Sequence, residues 1–155
     1  MSHEELYDLL ETLHDKYNCE EFISLDPISI PHMFTDVRDI EISGLLSATI
    51  AWGARPMIVR NGRRMMSYMD NSPADFVIGS SERELKSLEG FVHRTFNGSD
   101  LRDFVLSIRS MCERFGSLGE FFQSRYESSG SMEQVLADFR REFLSTEHNP
   151  HCEKH

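Results

Sequence analysis

Apolar residues recur at three- and four-residue intervals along most of the chain. Leu6, Leu9, Leu10, Leu13 and Tyr17 form one row, and Leu101, Phe104, Val105, Ile108, Met111, Cys112 and Phe115 a second. Met132, Val135, Leu136, Phe139 and Phe143 form a third. That period gathers the apolar side chains on one side of an α-helix, so each run predicts an amphipathic helix. Ser2-x-x-Glu5, Ser81-x-x-Glu84, Ser117-x-x-Glu120 and Ser131-x-x-Gln134 match the capping box, in which two side chains satisfy amide donors that a helix start leaves free. Ser72-Pro73 offers a cap followed by proline at the first helical position. Alternating strand patterns of useful length and internal repeats are absent. The fold class is all-α.

The run from Asp39 to Ala54 differs from the others, because Ile40, Ile42, Leu45, Leu46, Ala48, Ile50, Ala51 and Trp52 leave almost no polar face. A helix apolar all round must be buried, so the pattern predicts an orthogonal bundle around one central helix at 39–54. Gly44, Ser47, Ala48 and Ala51 form a stripe of small side chains that admits another helix closely. Gly53 ends the run and Pro56 opens a second helix, which carries Arg60, Arg63 and Arg64 together with Met57, Ile58, Met65, Met66 and Met69. Between the first helix and the central one, the two prolines of DPISIPHMF exclude a continuous helix and predict an extended, ordered connection. Asn97-Gly98 reads as a turn before a helix that begins near Asp100. Residues 1–146 read as a single helical domain and 147–155, with no apolar period, as a disordered tail.

With 155 residues, 39% apolar and 27% charged, the chain has the composition of a soluble globular domain. Cys19, Cys112 and Cys152 are an odd number at wide spacings, which supports neither a disulfide scaffold nor a C-x-x-C site. Acids stand where a signal peptide needs bases, and no apolar run approaches the roughly 18 residues of a membrane span. The expected location is the cytoplasm, away from membranes. A net charge of −10 opposes indiscriminate coating of nucleic acid, yet the charge is unevenly spread. From Ile42 to Met69 there is no acid, and Arg55, Arg60, Arg63 and Arg64 give that window +4 against −14 elsewhere.

Arg60, Arg63 and Arg64 share one helical face at a spacing that suits successive phosphates. The competing reading is a solvated face whose guanidinium groups pair with acids from elsewhere. His93-Arg94 sets an imidazole beside a fixed cation just before the turn, and packing is the simpler role for it. His148, His151, Cys152 and His155 contain enough ligands for a zinc or nickel ion, but a tail with no packing face supplies no second shell, so no metal site is expected. No nucleophile elbow, P-loop, H-E-x-x-H or G-x-G-x-x-G pattern is present, and no cofactor is called for.

The stretches YNCEEFISLDPISIPHMF, DIEISGLLSATIAWGARPMIVRNGRRMMSYMDNSPADFV and LEGFVHRTFNGSDLRDFVLSI resemble a bacterial family of uncharacterised proteins, domain of unknown function 2400. More distantly, DIEISGLLSATIAWGARPMIVRNGRRMM followed by SPADFV is similar to the opening half of the helix-hairpin-helix DNA glycosylases of the endonuclease-three type. The resemblance implies the six-helix-barrel half of a fold that turns a base out of the duplex and reads it in a pocket. Thr49 stands where that family carries a wedge-like glutamine, and the glycosylase hairpin and catalytic aspartate belong to a segment downstream of His155. The chain therefore reads as an amino-terminal portion that does not excise bases alone. Its arginines Arg55, Arg60, Arg63, Arg64 and Arg94 are the expected nucleic-acid contacts, with DNA and a complementary carboxy-terminal half as partners. The alternative is an interaction or self-association module whose adaptable surfaces are Met57, Met65, Met66, Met69 and Phe121, Phe122.

Overall fold

The longest helix, α7 (Gly98–Phe115), buries the row Leu101, Phe104, Val105, Ile108 and Met111. The computed structural model describes residues 1–155 and contains nine α-helices in all. Before α7 come α1 (His3–Tyr17), α2 (Glu20–Leu25), α3 (Val37–Thr49), α4 (Arg55–Tyr68), α5 (Pro73–Gly79) and α6 (Glu82–Ser87); α8 (Leu118–Ser129) and α9 (Met132–Phe143) follow it. A two-residue-per-strand antiparallel hairpin, β1 (Val92–His93) and β2 (Phe96–Asn97), is the sole sheet and leads directly into α7. The all-α reading holds.

A file of edge-on and tilted phenylalanine rings ties the hairpin to the last helices. Phe91, Phe96, Phe104, Phe143 and Phe139 succeed one another with centroids 6.2, 5.3, 4.9 and 5.3 Å apart, and Phe139 lies 6.1 Å from Phe121 on α8. Such ring pairs add roughly 0.5–1.5 kcal/mol each to the burial of their area. They make α7, α8 and α9 one packed body with the hairpin.

α3 is the hub of the other half, touching α4, α5 and α8 and burying Ile42, Ser43, Leu46 and Ser47. It ends at Thr49, five residues short of the predicted limit, because the chain tightens through Ile50 into Gly53 at φ +117°. No helix sits on the small-residue stripe. The 3₁₀ turns Pro27–Ser29 and Pro31–Met33 pack there instead, with Pro31 against Gly44. The proline-bearing connection is thus ordered, as expected, but coiled into 3₁₀ turns where an extended path was expected, and these short turns do what a helix was predicted to do.

α3 also supplies caps to other helices. Asp39 accepts the Ala74 amide at 2.8 Å at the start of α5, and Glu41 accepts the Gly119 amide at 3.0 Å at the start of α8. Ser72, the cap expected from sequence, makes no side-chain capping bond. At the far end of α5, Arg109 of α7 donates to the Ser80 carbonyl at 2.9 Å and to the Val77 carbonyl. Both ends of that seven-residue helix are therefore closed by side chains from elsewhere.

Two expectations fail by packing. Met65, Met66, Met69 and Phe121 are fully buried and Phe122 is partly buried against the core, so of the surfaces expected to meet a partner only Met57 stands exposed. α1 forms with its predicted capping box, but it buries no residue, and Leu6, Leu9, Leu10 and Leu13 face outward. No helix is long and apolar enough to cross a membrane.

The stretch expected to fray, 147–155, folds back onto α7. Asp103 accepts the Asn149 amide at 2.8 Å, a 3₁₀ turn forms at Cys152–Lys154, and Cys152 is buried. The segment has no apolar period because its anchors are polar groups and one thiol, which periodicity does not register.

Candidate functional site

α4 places its arginines by simple helical geometry. Ile58, Asn61, Gly62, Met65 and Met66 take the inner face, and Gly62 lets Ile30 lie so close that a Cβ would sit 2.8 Å from its Cγ1. Arg60, Arg63 and Arg64 are left on the outer face with Arg55 at the first turn, all exposed. Their roles then divide. Arg64 donates to the Gly90 carbonyl at 2.8 Å and to the Tyr68 hydroxyl at 3.1 Å, so its Nη2 is committed to the fold. Arg55 lies 3.8 Å from Asp26 and 5.6 Å over the Phe22 ring. Arg60 and Arg63 have neither an ion pair nor a hydrogen bond. Together with Arg55, Ser24, Leu25, Pro56 and Val59 they line an open groove of about 520 Å³ between α2 and α4.

Arg94 belongs to a neighbouring surface. It occupies the hairpin turn at φ +57° and stacks 4.8 Å above the Trp52 ring. The hairpin is held to α4 by a buried polar bridge: Asn61 Nδ2 donates to His93 Nδ1 at 2.8 Å, which leaves Nε2–H to donate to the Trp52 carbonyl at 3.2 Å. His93 is therefore a packing residue in the tautomer protonated at Nε2. It fixes the distance between the arginine helix and the Trp52–Arg94 stack.

The tail forms a second cluster. Asp100, fully buried, sits at the third position of α7, where its Oδ2 accepts the Asn97 amide at 2.9 Å. Asn97 in turn caps the helix, which starts at Gly98, two residues before Asp100. His151 Nδ1 lies 2.8 Å from Asp100 Oδ1, and His155 Nε2 lies 3.8 Å from Oδ2. Burial pushes the His155 imidazole below its ordinary value, against the pull of Asp100. Of the four ligands read from sequence, His148 turns away toward the Thr146 carbonyl and Glu153. Cys152 is pushed up to about 12 by burial and by Asp103 and Asp100, which keeps it a thiol. Asp100 was missed because its signal, Asn97-x-x-Asp100, is that of a cap alone.

A family model for proteins of unknown function, DUF2400, matches residues 26–155. The chain belongs to the DUF2400 family. In this DUF2400 protein the matched span starts at Asp26, the partner of Arg55, and takes in every arginine above and the Asp100–His151–His155 cluster. α1, with its uncovered apolar face, lies outside it. No curated protein and no solved structure matches the chain.

Proposed function

We propose that this DUF2400 protein binds the phosphate backbone of nucleic acid through the groove between α2 and α4, as the helical part of a glycosylase-like scaffold that does not excise bases on its own. The observation that carries the reading is the pair Arg60 and Arg63. In a chain with 26 acids and 16 bases, two arginines one helical turn apart stand exposed and unpaired along an open groove. Guanidinium groups meet phosphate oxygens with paired, charge-assisted donors, and neutralising phosphates releases counterions. Arg94, stacked on Trp52 beside Gly53, extends the cationic surface past the start of α4. Arg64 is a structural arginine in this reading and makes no phosphate contact.

Fluorescence anisotropy with labelled duplex DNA, titrated at several salt concentrations, tests it. Arg60→Ala with Arg63→Ala weakens binding and lowers the slope of log K against log salt by about 1.8, two phosphates at about 0.9 each. Affinity and slope equal to those of the unaltered protein would refute the proposal. Of the methionine and phenylalanine clusters on which the interaction-module reading rests, only Met57 is exposed, and the larger uncovered apolar face belongs to α1.

A further inference from the structure

The last residues of the chain converge on a single buried carboxylate, and hydrogen bonding does not account for the convergence. His151 bonds to Asp100 at 2.8 Å. His155 does not bond at all: its side chain is 8% exposed, its Nε2 stops 3.8 Å from Asp100 Oδ2, and neither ring nitrogen has a hydrogen-bond partner. A covered imidazole pointed at a carboxylate without touching it leaves space for something between them.

We propose that Asp100, His151 and His155 bind a divalent transition-metal ion, with zinc the best match, and leave one coordination position open to solvent. One Asp Oδ, one His Nδ1 and one His Nε2 lie within 4.8 Å of one another. Zinc bonds of about 2.1 Å in a tetrahedral arrangement hold ligand atoms about 3.4 Å apart; at Asp100 Oδ2 the two imidazoles stand on either side of that spacing, His151 Nδ1 at 3.0 Å and His155 Nε2 at 3.8 Å. Side-chain rotation closes the difference. Two imidazoles and a carboxylate form a borderline donor set that selects zinc or a neighbouring transition ion over magnesium or calcium.

The supporting shell that a tail ligand set ordinarily lacks is present. Asp100 Oδ2 is held by the Asn97 amide at the start of α7, and Oδ1 carries the 2.8 Å contact with His151 Nδ1 that an ion between the two would replace. The His155 ring is wedged edge-on against Phe96, centroids 5.2 Å apart, and against His151 at the same distance. Both histidines also line an open cleft of about 520 Å³ with Thr49, Trp52, Thr95 and Lys154. The fourth position faces that cleft, where water or an anionic oxygen beside Lys154 completes the shell. Three protein ligands and an open site is the pattern of reactive rather than purely structural zinc. The site is separate from the α4 groove and stands whether or not that groove binds nucleic acid.

Zinc and cobalt(II) titrations of the chelator-stripped full chain test the assignment. Calorimetry gives one ion per chain, and cobalt gives a visible d–d band without the thiolate charge-transfer band that Cys152 would add. His155→Ala, His151→Ala and Asp100→Asn each lower zinc affinity roughly 10- to 100-fold, whereas His148→Ala and Cys152→Ser leave it unchanged. Circular dichroism confirms folding, and because His155→Ala removes no hydrogen bond it serves as the decisive variant if Asp100→Asn unfolds. Absence of a cobalt band overturns the proposal. So does binding that survives His155→Ala, or binding that requires His148 or Cys152, which is the signature of a loose histidine tail.

Discussion

Two glycines of this fold should respond in opposite directions to the same added methyl group. At Gly98, the first residue of α7, a Cβ would stand 2.3 Å from the Leu88 carbonyl oxygen and 2.4 and 2.6 Å from the Glu89 Cα and carbonyl carbon. All three are backbone atoms of the turn Leu88–Gly90, whose Leu88 is fully buried, so no side chain can swing aside. At Gly79, in the last turn of α5, nothing lies within 4 Å. Replacing glycine by alanine removes freedom from the unfolded chain and stabilises by about 0.4–1 kcal/mol where the conformation is compatible. Gly79→Ala has that term alone. Gly98→Ala has it together with an overpacking cost of about 1–3 kcal/mol or more, and the rigidity of the opposing atoms places it at the upper end. The net is a loss of about 2 kcal/mol. For a chain of this size each kcal/mol moves Tm by about 2–4 °C, so thermal melts should show Gly98→Ala down by about 4–8 °C and Gly79→Ala up by about 1–4 °C. Equal shifts in the two variants, or a Gly98→Ala melt at or above that of the unaltered protein, would refute the close approach. Gly98→Ala should also loosen zinc at the proposed site, since it displaces the helix start that carries Asp100.

The remaining predictions concern the tail and one ion pair. Thiol labelling near pH 8 should modify Cys19 well before Cys152, because the Cys152 thiol is buried and pushed up to about 12; early labelling of Cys152 would mean that the tail does not pack. The Arg114 guanidinium beside Glu142 holds its carboxyl below the usual carboxylate range, with burial opposing and Arg141 adding to the effect. A depressed folded value contributes stability above the unfolded value of about 4.3 and loses it as the pH falls through the folded one. Glu142→Gln should therefore lower Tm at pH 7 and lower it progressively less in melts run below that value; a gap independent of pH would contradict the pairing.

Where a helix carries an uninterrupted apolar row, sequence and structure agree closely. α7, α9 and the inner face of α4 follow from the 3.6-residue period, and the Ser2 and Ser81 capping boxes form in full. What periodicity leaves open is what covers a face. The row on α1 is written like that on α9, yet on α9 Val135 and Phe143 are buried and Met132 and Leu136 stay exposed, while on α1 all of Leu6 to Leu13 are uncovered. The methionines of α4 read equally well as a partner surface or as core, and only packing distinguishes the two. The candidate sites were half visible. Arg60 and Arg63 follow from charge and spacing, but the commitment of Arg64 to Gly90, 26 residues away, has no local signature. His151 and His155 were visible as ligands. Asp100 was not, because it lies 51 positions before His151 in the chain. Trans capping of α5 by Asp39 was hidden for the same reason: Ser72 occupies the expected place and the bond comes from another helix.

That borrowing bears on how the molecule comes apart. α5 takes its start from α3 and its end from α7, and α8 adds a bond from α3 to the cap made by its own Ser117, so neither helix start is closed by local residues alone. Withdrawing α3 removes a capping bond from two helices at once, each in a different part of the bundle. The helices are coupled as the stones of an arch are, and the bundle from α3 to α8 should melt in one transition with no separable half surviving it.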